Sequence, residues 1–245
     1  MATAKRIIEV LADKSALIRR SQELILSRLE EAIATRGKFT IALAGGSTPK
    51  PLYESLAKES LPWSKIHIFW GDERYVPATH QDSNQLMTRQ AWLDKIDIPA
   101  ANVHPINTTG ATPQEDGSKY EAELKEFFPD SEEFPRFDMI LLGMGDDGHT
   151  ASLFPQTPAL TVSDRLITVG NKDGQPRITF TVPLINQGRC VLFMVAGENK
   201  RQALQQVFAP QGDAMEYPSR LIQPQGELLW LLDRAAAQEL AMAPA

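Results

Sequence analysis

The sequence predicts an α/β fold: a mainly parallel β-sheet covered by helices on both faces. Three observations predict it. Short apolar, β-branched runs alternate with longer segments of helical spacing. The runs are apolar at successive positions, as strands buried on both faces require. Polar or glycine-rich clusters follow several of them directly, where open parallel sheets hold their ligands.

The elements follow in order. Ser15 to Arg36 reads as a helix, with Leu17, Ser21, Leu24, Ile25, Leu29 and Ile33 on one stripe and Gly37 as its stop. Residues 39–43 (Phe-Thr-Ile-Ala-Leu) form a buried strand that runs into Ala44-Gly45-Gly46-Ser47-Thr48, and Pro49 opens a helix. Lys65 to Trp70 is the next strand and Ser83 to Asp94 the next helix. Thr112 caps a helix to Phe127, with Glu115 three residues on. Phe137 to Leu142 is a strand ending at Gly143. Arg165–Val169 and Arg177–Phe180 are two shorter ones. Cys190 to Val195 is a strand followed by a helix from Glu198 to Val207. Leu228 to Leu232 is the last strand and Arg234 to Met242 the closing helix.

At 245 residues the chain is expected to be one domain with a sizeable core. Its 25 Lys+Arg against 31 Asp+Glu give a net charge of −6, which offers no basic excess for nucleic acid. A small anion needs only a few local cations. One cysteine, Cys190, excludes a disulfide framework or Cys-rich zinc site, and it reads as core. No run reaches the roughly 18 apolar residues of a membrane span, and the first ten residues carry no secretory pattern. The expectation is a soluble, cytoplasmic protein.

Three post-strand clusters are candidates for chemistry. Gly45-Gly46-Ser47-Thr48 lies between a strand and a helix start, so free N–H groups and hydroxyls suit a phosphate. A tight turn with an ordinary Ser or Thr cap is the alternative. Gly71 to Pro77 carries Asp72-Glu73-Arg74, a carboxylate and a guanidinium able to meet one ligand, or a solvated turn with Asp82 or Ser83 capping the next helix. Gly143, Gly145 and Gly148 match G-x-G-x-x-G, but the segment stops at Pro155 before a long helix can form, so a dinucleotide fold is rejected. That leaves His149 on a turn beside Asp147, suited to activating water, or merely tidying the turn. His67, His80 and His104 read as packing or loop residues. No HExxH or G-x-S-x-G motif is present. Further along, Arg177 and Lys200 are possible cations. A lysine in the first turn of a helix opposes its dipole unless an anion is near, whereas Arg201 reads as solvent-facing.

These blocks together resemble the 6-phosphogluconolactonase family: Ala42 to Pro49, Gly71 to Pro77, Asp82-Ser83-Asn84, and Gly143-Met144-Gly145-x-Asp147-Gly148-His149-Thr150-Ala151-Ser152-Leu153-Phe154-Pro155. The match runs in order over most of the chain. The related glucosamine-6-phosphate deaminases continue the turn as Asp-Gly-His-Ile-Ala-Phe-Asn-Glu-Pro, and here Phe154 stands for that glutamate. Asp146 departs from the small residue common in the family.

The resemblance implies a single Rossmann-related domain that hydrolyses 6-phospho-D-glucono-1,5-lactone in the pentose phosphate pathway, with no metal or cofactor. It implies a phosphate site of Gly45, Gly46, Ser47, Thr48, Lys200 and Arg177. His149 is then the general base and Asp147 its orienting partner. Arg74 stabilises the oxyanion, and Asp72 binds sugar hydroxyls or holds Arg74. The expected partner is the small-molecule sugar-phosphate lactone, with no nucleic acid or membrane, in a monomer or small homo-oligomer. A deaminase, or a sensor that binds sugar phosphate without catalysis, is the alternative.

Overall fold

A computed structural model describes residues 6–131, 133–238 and 240. The first strand, β1 (Arg6–Leu11), was not anticipated; its half-exposed edge position leaves no uniform apolar run. Helix α1 (Lys14–Arg36) follows, capped by the Asp13 side chain and ended by Gly37 in the left-handed region. Its buried stripe includes Leu17, Ser21, Leu24, Ile25 and Leu29. Strand β2 (Phe39–Leu43) is buried at every position. Helix α2 (Lys50–Leu56), strands β3 (Ile66–Trp70) and β4 (Asp72–Arg74), and helix α3 (Asn84–Ala91) come next. Then come β5 (Val103–His104), α4 (Pro113–Phe127) and β6 (Met139–Leu142). The rest is β7 (Ile167–Lys172), β8 (Gln175–Phe180), α5 (Val182–Asn186), β9 (Cys190–Val195), α6 (Arg201–Phe208), β10 (Glu227–Asp233) and α7 (Arg234–Ala237). The end expected for the closing helix, Met242, lies outside the described residues.

Seven strands form one parallel sheet in the order β1-β10-β9-β6-β2-β3-β5. Its central strands β2, β6 and β9 are buried throughout, so both faces are covered. From β2 the chain first builds outward through β3 and β5, then returns to the other side of β2 with β6. The β2/β6 junction is therefore the topological switch point, and ligands bind beyond the strand ends there. Among the described residues no helix is long and apolar enough to cross a membrane.

The two short strands expected near Arg165 and Arg177 do not join this sheet. They form a hairpin, β7–β8, whose Asp173 and Gly174 both have positive φ (53° and 82°) as a two-residue hairpin turn demands. Strand β4 pairs antiparallel with β8, giving a separate three-stranded sheet. Its register sets Arg74 directly opposite Arg177.

Candidate active site

A cavity of about 360 Å³ opens at the carboxyl ends of β2, β6 and β9. The loop after β2 supplies Gly45, Gly46, Ser47 and Thr48 to its wall. Gly46 has φ +96°, a conformation that glycine adopts without strain. The loop is held from behind: the fully buried Tyr53 hydroxyl donates to the Ala44 carbonyl at 2.7 Å, and Lys14 Nζ to the Ser47 carbonyl at 3.0 Å. Lys200, the residue before α6, lines the same cavity.

The turn after β6 supplies His149. Its Nδ1 lies 2.5 Å from Asp147 Oδ1, and its backbone N–H donates to that oxygen at 3.0 Å. An ionised carboxylate can only accept, so Nδ1 carries the proton and Nε2 is left as the basic nitrogen on a ring that lines the cavity. Burial alone would raise the Asp147 carboxyl, but the hydrogen bonds from the His149 ring and backbone outweigh it and hold the group down at about 2. The turn is braced by Thr150 Oγ1 donating to the Gly143 carbonyl (2.9 Å) and Ser219 Oγ donating to the Gly148 carbonyl (2.8 Å). A Cβ on Gly145 would lie 2.1 Å from His149 Nδ1, so only glycine lets the ring dock there. No α-helix follows this turn before β7, consistent with rejecting the dinucleotide fingerprint.

Strand alternation divides the Asp72-Glu73-Arg74 triplet. Asp72 and Arg74 line the cavity. Glu73 points the other way and is 2% exposed. It accepts the backbone N–H groups of Arg74, Asn84 and Gln85, each at 2.8 Å, and the Ser83 hydroxyl at 3.1 Å. It ties the loop to the start of α3, while Ser83 Oγ caps Leu86 N. Asp72 makes no ion pair with Arg74 among the described residues; its Oδ2 accepts from the buried Ser152 hydroxyl at 2.6 Å. Asn84 Nδ2 donates to the Asp72 carbonyl at 2.9 Å. Asn84 and Asn199 also line the cavity, and Ser152 backs it. Reading the loops for charge alone passed over these three.

Arg74 and Arg177 carry the strongest electrostatic signal. Like charges facing each other across paired strands repel, and burial together with Arg74 lowers the Arg177 pKa. Both Nε atoms are buried without a hydrogen-bond partner among the described residues. Each such group costs about 1–3 kcal/mol unless something supplies an acceptor. Arg177 also lies over the Phe154 ring (5.3 Å to its centroid), and that ring packs 4.6 Å from His149.

All the residues expected at the site therefore meet around one cavity, with Asp147 just behind its wall. Arg201 departs from its expectation: it is half-buried and its Nε donates to the Ala235 carbonyl at 2.7 Å, because α7 packs against α6. Cys190 is core, and burial pushes its thiol up to about 12.

The chain is similar to known proteins over most of its length. The family described as glucosamine-6-phosphate isomerases/6-phosphogluconolactonase matches residues 12–230. A Synechocystis sp. protein named 6-phosphogluconolactonase is 62% identical over 95% of this chain and 98% of its own. A Nostoc sp. protein of the same name is 63% identical over 97% and 100%. The solved 6-phosphogluconolactonase from Trypanosoma cruzi superposes with a TM-score of 0.87 at 29% identity, over 98% of both chains.

Proposed function

The chain belongs to the glucosamine-6-phosphate isomerase/6-phosphogluconolactonase family, and from that premise we propose how its residues act. It is a hydrolase that opens 6-phospho-D-glucono-1,5-lactone to 6-phospho-D-gluconate, the lactone-hydrolysis step of the pentose phosphate pathway. The observation that carries the residue assignment is the His149–Asp147 contact beside a cavity that also collects Arg74, Arg177 and Lys200.

The substrate's phosphate dianion binds the backbone N–H groups and hydroxyls of Gly45, Gly46, Ser47 and Thr48, with Lys200 and Arg177 neutralising its charge. This remote contact fixes the lactone carbonyl near His149 and converts binding energy into orientation. His149 Nε2 takes a proton from water as its oxygen attacks C1. Asp147 keeps the ring in the accepting tautomer and stabilises the imidazolium that forms. Arg74, with neighbouring backbone N–H groups, stabilises the tetrahedral oxyanion. Asp72, held by Ser152, accepts hydrogen bonds from sugar hydroxyls. As the C1–O5 bond breaks, the imidazolium returns its proton to the ring oxygen. The product acid ionises and releases one proton per turnover.

We also read residues 1–245 as one domain, cytoplasmic and without nucleic-acid or membrane partners, acting as a monomer or small homo-oligomer. The acidic balance and the single cysteine support this.

The function is tested with lactone made in situ from glucose 6-phosphate by its dehydrogenase. Acid release is followed above the spontaneous rate, with ammonia release from glucosamine 6-phosphate in parallel. Acceleration of acid release alone is expected. Ammonia without lactone hydrolysis would transfer the protein to the deaminases.

A further inference from the structure

The same three central strands that end at the active site begin at a second charged cluster. Arg36 closes α1 just before β2, Arg136 and Asp138 precede β6, and Arg189 precedes β9. Because β9, β6 and β2 are adjacent and parallel, their starts lie side by side on the edge opposite the catalytic cavity. Strands of this length separate the two edges by roughly 15–20 Å. A cavity of about 270 Å³ lies there, lined by four arginines, Arg28 among them, and by the acids Glu31, Asp138 and Glu227.

The acids are already committed. Asp138, 6% exposed, accepts Arg36 Nε on Oδ1 at 2.8 Å, and on Oδ2 accepts the Thr40 N–H and hydroxyl, both at 2.9 Å. Arg28 takes Glu227 through Nε at 3.0 Å and lies 3.5 Å from Glu31. Arg189 forms a longer ion pair with Asp138, at 3.6 Å and beyond hydrogen-bond reach, and its Nε is buried with no hydrogen-bond partner among the described residues. Arg136 is exposed, and its Nε donates to the Gln187 carbonyl at 3.3 Å. Burial, then Arg136 and Arg36, lower the Arg189 pKa, and Asp138 and Glu31 offset this only in part.

We propose that Arg36, Arg136 and Arg189 form a second anion site that takes a compact phosphate-type oxyanion. Guanidinium forks match tetrahedral oxyanions in geometry. The four arginines that line this cavity outnumber its three acids, so an anion balances the excess. The cavity is several times the roughly 30 Å³ share of one water. The Cys190 thiol beside it stays protonated, with its pKa pushed to about 12, and adds no negative charge.

The test is a titration of the full chain with inorganic pyrophosphate at constant ionic strength, read by the ¹⁵N signals of the arginine Nε–H groups. Arg189 Nε–H is expected to shift saturably. Arg136→Gln, at an exposed position, should weaken that response at least tenfold while leaving lactonase activity and the Arg177 response unchanged. A shift of Arg189 that stays linear and is matched by sodium chloride would overturn the proposal. So would a response confined to Arg74 and Arg177, or unaltered binding in Arg136→Gln. The Arg189 signal in the unmodified protein separates saturable from linear behaviour even without the variant.

Discussion

Replacing Asp147 separates its two roles, charge and tautomer control. Its carboxyl sits at about 2 against an ordinary 3.8, a gap worth about 2.5 kcal/mol at full strength. With 41% of the side chain exposed, solvent screening reduces this to about 1–1.5 kcal/mol. The carboxylate also faces the imidazolium formed when His149 takes a proton. Asp147→Ala should therefore lower kcat about tenfold. Asp147→Asn should be the milder of the two. Its amide oxygen can take the place of Oδ1 and accept from both the His149 backbone N–H and Nδ1–H, so the tautomer with a basic Nε2 is kept and only the charge is lost. Initial rates of acid release, corrected for spontaneous hydrolysis, measure both variants, and thermal unfolding checks that they fold. An Asn variant as active as wild type, or less active than the Ala variant, would refute this division of roles. The sign of the pH effect follows. A carboxyl held below its ordinary value keeps the contact intact above about pH 4, and the contact fades only as pH falls toward 2. A carboxyl ¹³C titration with its midpoint above 4 would contradict that.

Glu73→Ala strands three backbone N–H groups and a hydroxyl. We expect a loss of about 3 kcal/mol, or about 6–12 °C in Tm; a shift under 2 °C would show that water replaces the carboxylate. Lys200→Ala should chiefly raise KM, whereas Arg74→Lys should chiefly lower kcat. Isothermal titration with 6-phosphogluconate and steady-state kinetics separate the two, and normal ligand affinity in Lys200→Ala would remove Lys200 from the phosphate site. Cys190, buried and with its thiol pushed to about 12, should resist a disulfide reagent at pH 8 until the protein unfolds; rapid modification of folded protein would contradict its burial.

The parallel core was legible because strands buried on both faces leave uninterrupted apolar runs, as in β2 and β9. The site was legible because sheet topology gathers post-strand loops, so Gly45, Asp72 and His149 could be placed together before any distance was known. The three-stranded sheet was not legible: β4 and β8 are about a hundred residues apart, and no local pattern announces their pairing. The Asp173-Gly174 turn was a readable hairpin signal that would have separated β7 and β8 from the main sheet. With that pairing, Arg74 and Arg177 become one arginine pair instead of two isolated cations. Glu73 shows the converse limit. Three adjacent charges look alike in sequence, yet strand alternation sends the middle one to a helix start and its neighbours to the cavity.

The central claim is that His149 activates the attacking water. Acid release from the lactone should be compared for wild type and His149→Ala, with 6-phosphogluconate affinity measured on both. We predict a fall in kcat of about a hundredfold or more with product binding retained. An unchanged kcat would contradict it.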